Sequence, residues 1–114
     1  MATTSKISKS PPYAVEKLLV QLGRNIRIAR LRRKLRLVDL AERIGISRHV
    51  MSDIEKGKPT TAVAAYIGAI WALGLANDLH LIADPDLDTE GKLLESARAP
   101  TTAPKRARPL DNDF

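Results

Sequence analysis

The stretch from Leu40 to Lys58, LAERIGISRHVMSDIEKGK, leaves the chain few ways to fold. Leu40, Ala41 and Ile44 fall at helical spacing and form one apolar stripe, which predicts a short helix. Gly45 ends it, because a residue without a β-carbon enters the left-handed conformation at little cost. Ile46 then turns inward across the corner. Ser47 is a natural N-cap, since its hydroxyl accepts a backbone N–H of the next turn. The second helix buries Val50 or Met51 together with Ile54, leaving Arg48, His49, Ser52, Asp53 and Lys56 on its other side. Gly57 closes it and Pro59 blocks any continuation. These residues therefore specify two short helices joined by a tight turn, the second presenting polar and charged side chains outward.

The rest of the chain supplies helices to pack against that pair. Met1 to Ser10 is polar, lacks periodicity and is expected to be disordered, so residues 1–11 read as a flexible arm. Ser10-Pro11-Pro12 is a helix entry, because proline's missing N–H would be unpaired in a first turn anyway. From about Tyr13 to Lys34, Val15, Leu18, Leu19, Leu22, Ile26 and Ala29 recur at three- and four-residue spacing. Gly23 weakens that helix by about 1 kcal/mol relative to Ala and marks a candidate break. Its outer face is basic: Arg24, Arg27, Arg30, Arg32, Arg33, Lys34 and Arg36 occur with no acidic residue between Glu16 and Asp39. Such like charges repel, and closely spaced phosphates would relieve the repulsion with release of counterions.

Beyond the central pair, Lys56, Lys58, Thr60 and Thr61 suit phosphates, with Thr60 or Thr61 also capping the next helix. That helix, from about Ala62 to Leu73, is almost wholly apolar and must be buried from more than one direction. One side closes the core; the other is expected to meet a second subunit, since a small chain has little else to cover Trp71. Gly74 ends it. In the following segment, Leu75, Leu79 and Ile82 fit a short helix capped near Asn77, while Leu79, Leu81 and Ala83 fit a strand. The helix is preferred, and in either form Leu75, Leu79 and Ile82 would extend the dimer contact begun by Trp71. Residues 12–84 thus form the expected domain, and 85–114 an extension that is acidic first and basic later. Asp88 is placed to cap a brief helix through Leu93, Leu94 and Ala97. Asp84, Asp86, Asp88 and Glu90 alternate as calcium ligands do, but the central Gly and final Glu of the calcium-binding loop are missing. The tail APTTAPKRARPLDNDF is expected to be disordered alone.

Composition narrows the function. The chain of 114 residues has no cysteine, which fits a reducing cytosol and removes disulfides and thiolate metal sites. No run approaches the roughly 18 apolar residues of a membrane span, and the first residues carry no signal-peptide core. The net charge of +6 favours a polyanionic partner. His80 has no companion ligands near His49, and no nucleophile–base pair or glycine-rich phosphate loop is present. No metal, cofactor or enzymatic activity is expected.

The run from Leu40 to Lys58 resembles the helix-turn-helix of phage-repressor-like (Cro/Xre) DNA-binding proteins. Leu40, Ala41, Ile44, Gly45, Ser47, Arg48, Ile54, Glu55, Gly57 and Lys58 stand where that pattern expects them, and the likeness extends from Leu22 to about Leu75. It implies an all-α, lambda-repressor-like bundle of four to five helices. It further implies that the second helix of the motif enters the major groove of double-stranded DNA. There Arg48 would fork to guanine, His49 and Ser52 would contact base edges, and Asp53 would accept from a cytosine amino group. Ser47, Lys56, Lys58, Thr60 and Arg36 would meet phosphates, Arg36 replacing a glutamine common in the family. Lys34 stands where the family often has glycine. Arg30 would pair with Glu55 to hold the helix at its docking angle. A homodimer would read the two halves of a palindromic operator.

A narrower likeness lies in the C-terminal part. Leu73-Gly74-Leu75, Asp84-Pro85, Asp88, Gly91, Leu94, Glu95 and Pro104 to Arg108 resemble the ending of HipB-type antitoxins. That likeness implies a cytoplasmic, nucleoid-associated repressor of its own operon that also neutralises a HipA-like kinase toxin. The alternative is a stand-alone regulator of the same fold with no toxin partner.

Overall fold

A computed structural model describes residues 5–98, and every regular element among them is helical. The chain divides into two compact units, Met1–Asn77 and Asp78–Phe114. The first contains α1 (Lys6–Lys9), α2 (Tyr13–Arg32), α3 (Leu37–Ile44), α4 (Arg48–Lys56) and α5 (Val63–Ala72). The fold is the expected all-α helix-turn-helix bundle, with α3 and α4 as the motif. The tail from Ala99 onward lies outside the described residues.

The first unit has one core. Ile26 and Ala29 of α2, Leu40 and Ala41 of α3, Met51 and Ile54 of α4, and Tyr66, Ala69 and Ile70 of α5 converge, with Leu73 just beyond. Leu40, Met51 and Ile54 are completely buried, each contributing about 1.5–3 kcal/mol by removing its side chain from water. The sequence left Val50 and Met51 as alternatives for the inner position of α4; Met51 takes it and Val50 is only half-buried. α4 packs on both α2 and α3, and α3 also packs on α5.

Four helices end with the same device. At the ends of α2, α3, α4 and α5 a left-handed residue reverses the chain: Lys34 at φ 56°, Gly45 at 74°, Gly57 at 73° and Gly74 at 79°. The next amide in each case reaches back to the helix, as in Leu35 N–H to Arg30 O at 3.3 Å and Ile46 N–H to Ala41 O at 3.0 Å. Lysine thus occupies one of four positions that otherwise hold glycine, and its β-carbon makes that conformation cost about 1–2 kcal/mol.

Several local expectations are corrected. The arm expected to be disordered includes a helical turn, α1, because the Ser5 hydroxyl accepts from Ser8 N–H at 3.2 Å. Gly23 does not break α2, which runs unbroken to Arg32. A β-carbon at Gly23 would lie 2.5 Å from Ile54 O and 2.8 Å from Glu55 O, and one at Gly57 would overlap the Leu19 carbonyl. Both glycines are thus points where the backbones of α2 and α4 touch. Neither Thr60 nor Thr61 caps α5; its N-cap is Ala62, without a side-chain hydrogen bond. After Gly74 the preferred helix forms and the strand does not, but the helix is of the tighter 3-10 kind, Ala76–Leu81. The segment is too short and too interrupted to propagate α-helical bonds.

In the second unit Asp84 accepts from Asp86 N–H at 2.9 Å and starts a 3-10 turn, Pro85–Leu87. Asp88 accepts from Gly91 N–H at 2.9 Å and opens α6 (Thr89–Arg98), where the sequence placed a cap.

Urea denaturation separates the two kinds of special backbone position. Gly23→Ala should lower stability by about 1–3 kcal/mol, as overpacking does. Lys34→Gly should raise it by about 1 kcal/mol, by relieving the left-handed lysine.

Candidate nucleic-acid interface

The candidate surface is built on α4, from its ends inward. Ser47 is its N-cap: the hydroxyl accepts from Val50 N–H at 3.0 Å and satisfies one of the helix's free amides. Met51 and Ile54 point wholly into the core, which leaves the rest of the first two turns of α4 toward solvent. Arg48 and His49 are exposed there, with Ser52 half-buried beside them. A helix N-terminus with exposed amides, a guanidinium, an imidazole and a hydroxyl can donate to acceptors on base edges and phosphates.

Asp53 sits differently from its neighbours. Its carboxylate lies 3.6 Å from His49 Nε2 and 3.7 Å from Lys58 Nζ, and its side chain is largely covered. It therefore links the outward face of α4 to the segment that follows. Lys58 is held from its other end, where the buried Tyr66 hydroxyl donates to the Lys58 carbonyl at 2.8 Å. Burial, with a smaller contribution from the Asp53 charge, pushes the Tyr66 hydroxyl up to about 12. Lys56 and Thr60 are exposed in the same region.

Behind α4, Arg30 and Glu55 form a forked pair. Arg30 Nε donates to Glu55 Oε2 at 2.6 Å and Nη2 donates to Oε1 at 2.9 Å, with side chains only 9% and 7% exposed. The third edge of the guanidinium, Nη1, donates to Leu35 O at 2.9 Å. Hydrogen bonding to Glu55 raises the Arg30 pKa, burial opposes that rise, and the Glu55 charge adds to it. Arg27 approaches the same carboxylate at 4.0 Å. Glu55 thereby neutralises part of the basic run that no acid within the run offsets.

Arg36 is the N-cap residue of α3. Its backbone N–H donates to Asp39 Oδ2 at 2.8 Å, and its Nη2 donates to Oδ1 at 2.9 Å. The hydrogen bonds from Arg36 hold the Asp39 carboxyl below its ordinary range. Arg36 stays exposed while so paired.

A family model described as a helix-turn-helix domain matches residues 21–80, just over half of the chain. The chain belongs to the helix-turn-helix domain family. The matched span contains α3, α4 and α5, all but the first turns of α2, and the buried Arg30–Glu55 pair. The helix-turn-helix domain is a DNA-binding module of transcription regulators, a class that is typically not enzymatic. No curated protein and no solved structure matched the chain. Among the described residues no three His, Asp or Glu side chains are grouped to hold a metal ion, and no helix is long and apolar enough to cross a membrane.

Sequence reasoning missed the Tyr66–Lys58 link and the position of Asp53 between His49 and Lys58. Both had a weak signal: a lone hydroxyl in an otherwise apolar helix needs a partner, and His49 and Asp53 are one helical turn apart. The closing Lys58 contact is tertiary and had no signal.

The Tyr66 hydroxyl makes stability pH-dependent in the alkaline range. The unfolded tyrosine ionises near 10 and the folded one near 12, so the contribution of this group to stability is constant below pH ~10. It should then fall by about 1.4 kcal/mol per pH unit until pH ~12. Chemical denaturation of Tyr66→Phe beside the parent chain should show that loss missing from the variant.

Proposed function

We propose that this helix-turn-helix domain is a sequence-specific DNA-binding transcriptional repressor that acts as a homodimer on a palindromic operator. The observation that carries this reading is the two-sided character of α4. Its inner side is fixed by fully buried Met51 and Ile54 and by the forked Arg30–Glu55 pair, while its outer side presents Arg48, His49 and Ser52. A helix held this rigidly can place a bidentate side chain against one base pair. Arg48 is the principal base reader, with His49 and Ser52 beside it. Asp53 accepts from a cytosine amino group only where His49 or Lys58 yields its carboxylate. Ser47, Lys56, Lys58, Thr60 and Arg36 contact phosphates, and these contacts set register rather than sequence.

The dimer reading rests on α5. Val63, Ile67 and Trp71 follow at four-residue intervals with Leu75 next, all are exposed, and α5 carries no charged residue. An uncharged apolar stripe is self-complementary, as a two-fold interface requires. Leu79 and Ile82 of the second unit are the remaining residues assigned to the dimer contact. The finer role is that of a HipB-type antitoxin that represses its own operon and neutralises a HipA-like kinase toxin. The C-terminal residues that resemble that group support it. A kinase-like gene beside this one, whose product co-purifies with the chain, is its test; without such a neighbour the chain is a stand-alone regulator.

The base-reading assignment is tested on a panel of operator variants, each with one base pair changed. Arg48→Ala should cost about 1–3 kcal/mol at one base pair and relax specificity there alone. Equal weakening on every sequence would make Arg48 a phosphate contact and contradict the assignment.

A further inference from the structure

The outward face of α2 carries a pattern that DNA reading by α4 and pairing through α5 do not use. Tyr13, Lys17, Val20, Arg24, Arg27 and Leu31 are spaced alternately four and three residues apart along α2. Residues at this spacing share one face of a helix, here with apolar and cationic side chains mixed along it. The buried residues of α2, Gly23, Ile26, Ala29 and Arg30, lie on the other side. On the open face the apolar members are exposed to solvent: Tyr13 is 73% exposed, Val20 50% and Leu31 47%. Lys17 Nζ stands over the Tyr13 ring at 5.5 Å. Tyr13, Glu16, Lys17, Val20, Gln21 and Arg24 form one open, mostly apolar stretch of the α2 surface.

We propose that this face is a docking surface for an acidic amphipathic helix of a different protein. Three occupants can be compared on charge and apolarity. A DNA backbone would satisfy Lys17 and Arg24 but leave Tyr13, Val20 and Leu31 in water, gaining nothing from their burial. A second copy of this face would set Lys17 and Arg24 against like charges along it, which destabilises such pairs. A helix with apolar residues at the same spacing and carboxylates beside them buries the apolar members and pairs the cations. Tyr13 to Leu31 spans about 27 Å along the axis, enough for a partner helix of roughly five turns. The neutral stripe of α5 and the basic face of α2 thus select different partners: the first a copy of itself, the second an acidic helix. This inference does not depend on the operator-reading proposal.

The test titrates the full-length, nitrogen-15-labelled chain with a synthetic peptide of about 20 residues. The peptide carries Leu at alternating three- and four-residue spacing with Glu flanking each Leu. A scrambled peptide of the same composition and a random-sequence DNA duplex are the other two probes. The patterned peptide should shift the amides of Tyr13, Lys17, Val20 and Arg24 and bind about 10-fold more tightly than the scrambled one. Val20→Glu should weaken it about 10-fold with unchanged thermal melting. Lys17→Glu should do the same while Tyr13, Val20 and Leu31 are all retained. Equal binding of the scrambled peptide would reduce the effect to net charge and overturn the proposal. Peptide shifts confined to α4 or α5, or DNA shifts at the same α2 amides, would overturn it as well.

Discussion

The forked hydrogen bonds between Arg30 on α2 and Glu55 on α4 tie the second helix of the motif to the twenty-residue α2, at a point almost sealed from water. Removing one partner from such a pair leaves an uncompensated buried charge, a loss of about 3–5 kcal/mol. The geometry adds direction to that energy, because a planar guanidinium meets a carboxylate in only a narrow range of orientations. The same guanidinium also takes the Leu35 carbonyl, so one side chain fixes the end of α2, the approach to α3 and the end of α4. Gly23 and Gly57 allow the required closeness, since at each a β-carbon would meet the backbone of the opposing helix. The electrostatic pair and the two glycines therefore act on one helix crossing.

That crossing explains how a strongly basic run is accommodated without weakening the core. Arg30 is buried with Glu55, Arg27 leans on the same carboxylate, Arg33 donates to the Ala29 carbonyl at 2.9 Å, and Arg36 is occupied with Asp39. Three faces of the domain then differ in chemistry. α4 presents donors from a rigid frame, α2 mixes cations with exposed apolar residues, and α5 is apolar and uncharged on its open side. Under the proposals made above, each face meets a different kind of surface: α4 meets DNA, α5 a second copy and α2 another protein.

Most of the fold was legible because the helix-turn-helix depends on short-range rules. Gly45, Ser47, Gly57 and the Leu40–Ala41–Ile44 stripe act within a turn or two of their own positions, and Asp88 capped the helix it was placed to cap. Gly23 was misread because its role is tertiary: helix propensity counts it as a defect, whereas the backbone of α4 requires it. Lys34 looked like a departure from a glycine position and in fact adopts the glycine's left-handed conformation, at a local cost the rest of the domain absorbs. The segment after Gly74 was ambiguous for the usual reason that a short apolar run fits several periods. At the interface, the exposure of Arg48 and His49 followed from the burial pattern of α4. The pairing of Asp53 with Lys58 did not, because it depends on how the chain turns after Gly57.

DNA binding measured by fluorescence anisotropy across a salt series tests the central claim most directly, with one probe from the region upstream of the protein's own gene and one shuffled control. A rigid, base-reading α4 predicts tight binding to the upstream probe alone, weakening linearly on a log–log plot as phosphate contacts are screened. Equal affinity for both probes at every salt concentration would contradict it, leaving a basic domain that holds DNA without reading it.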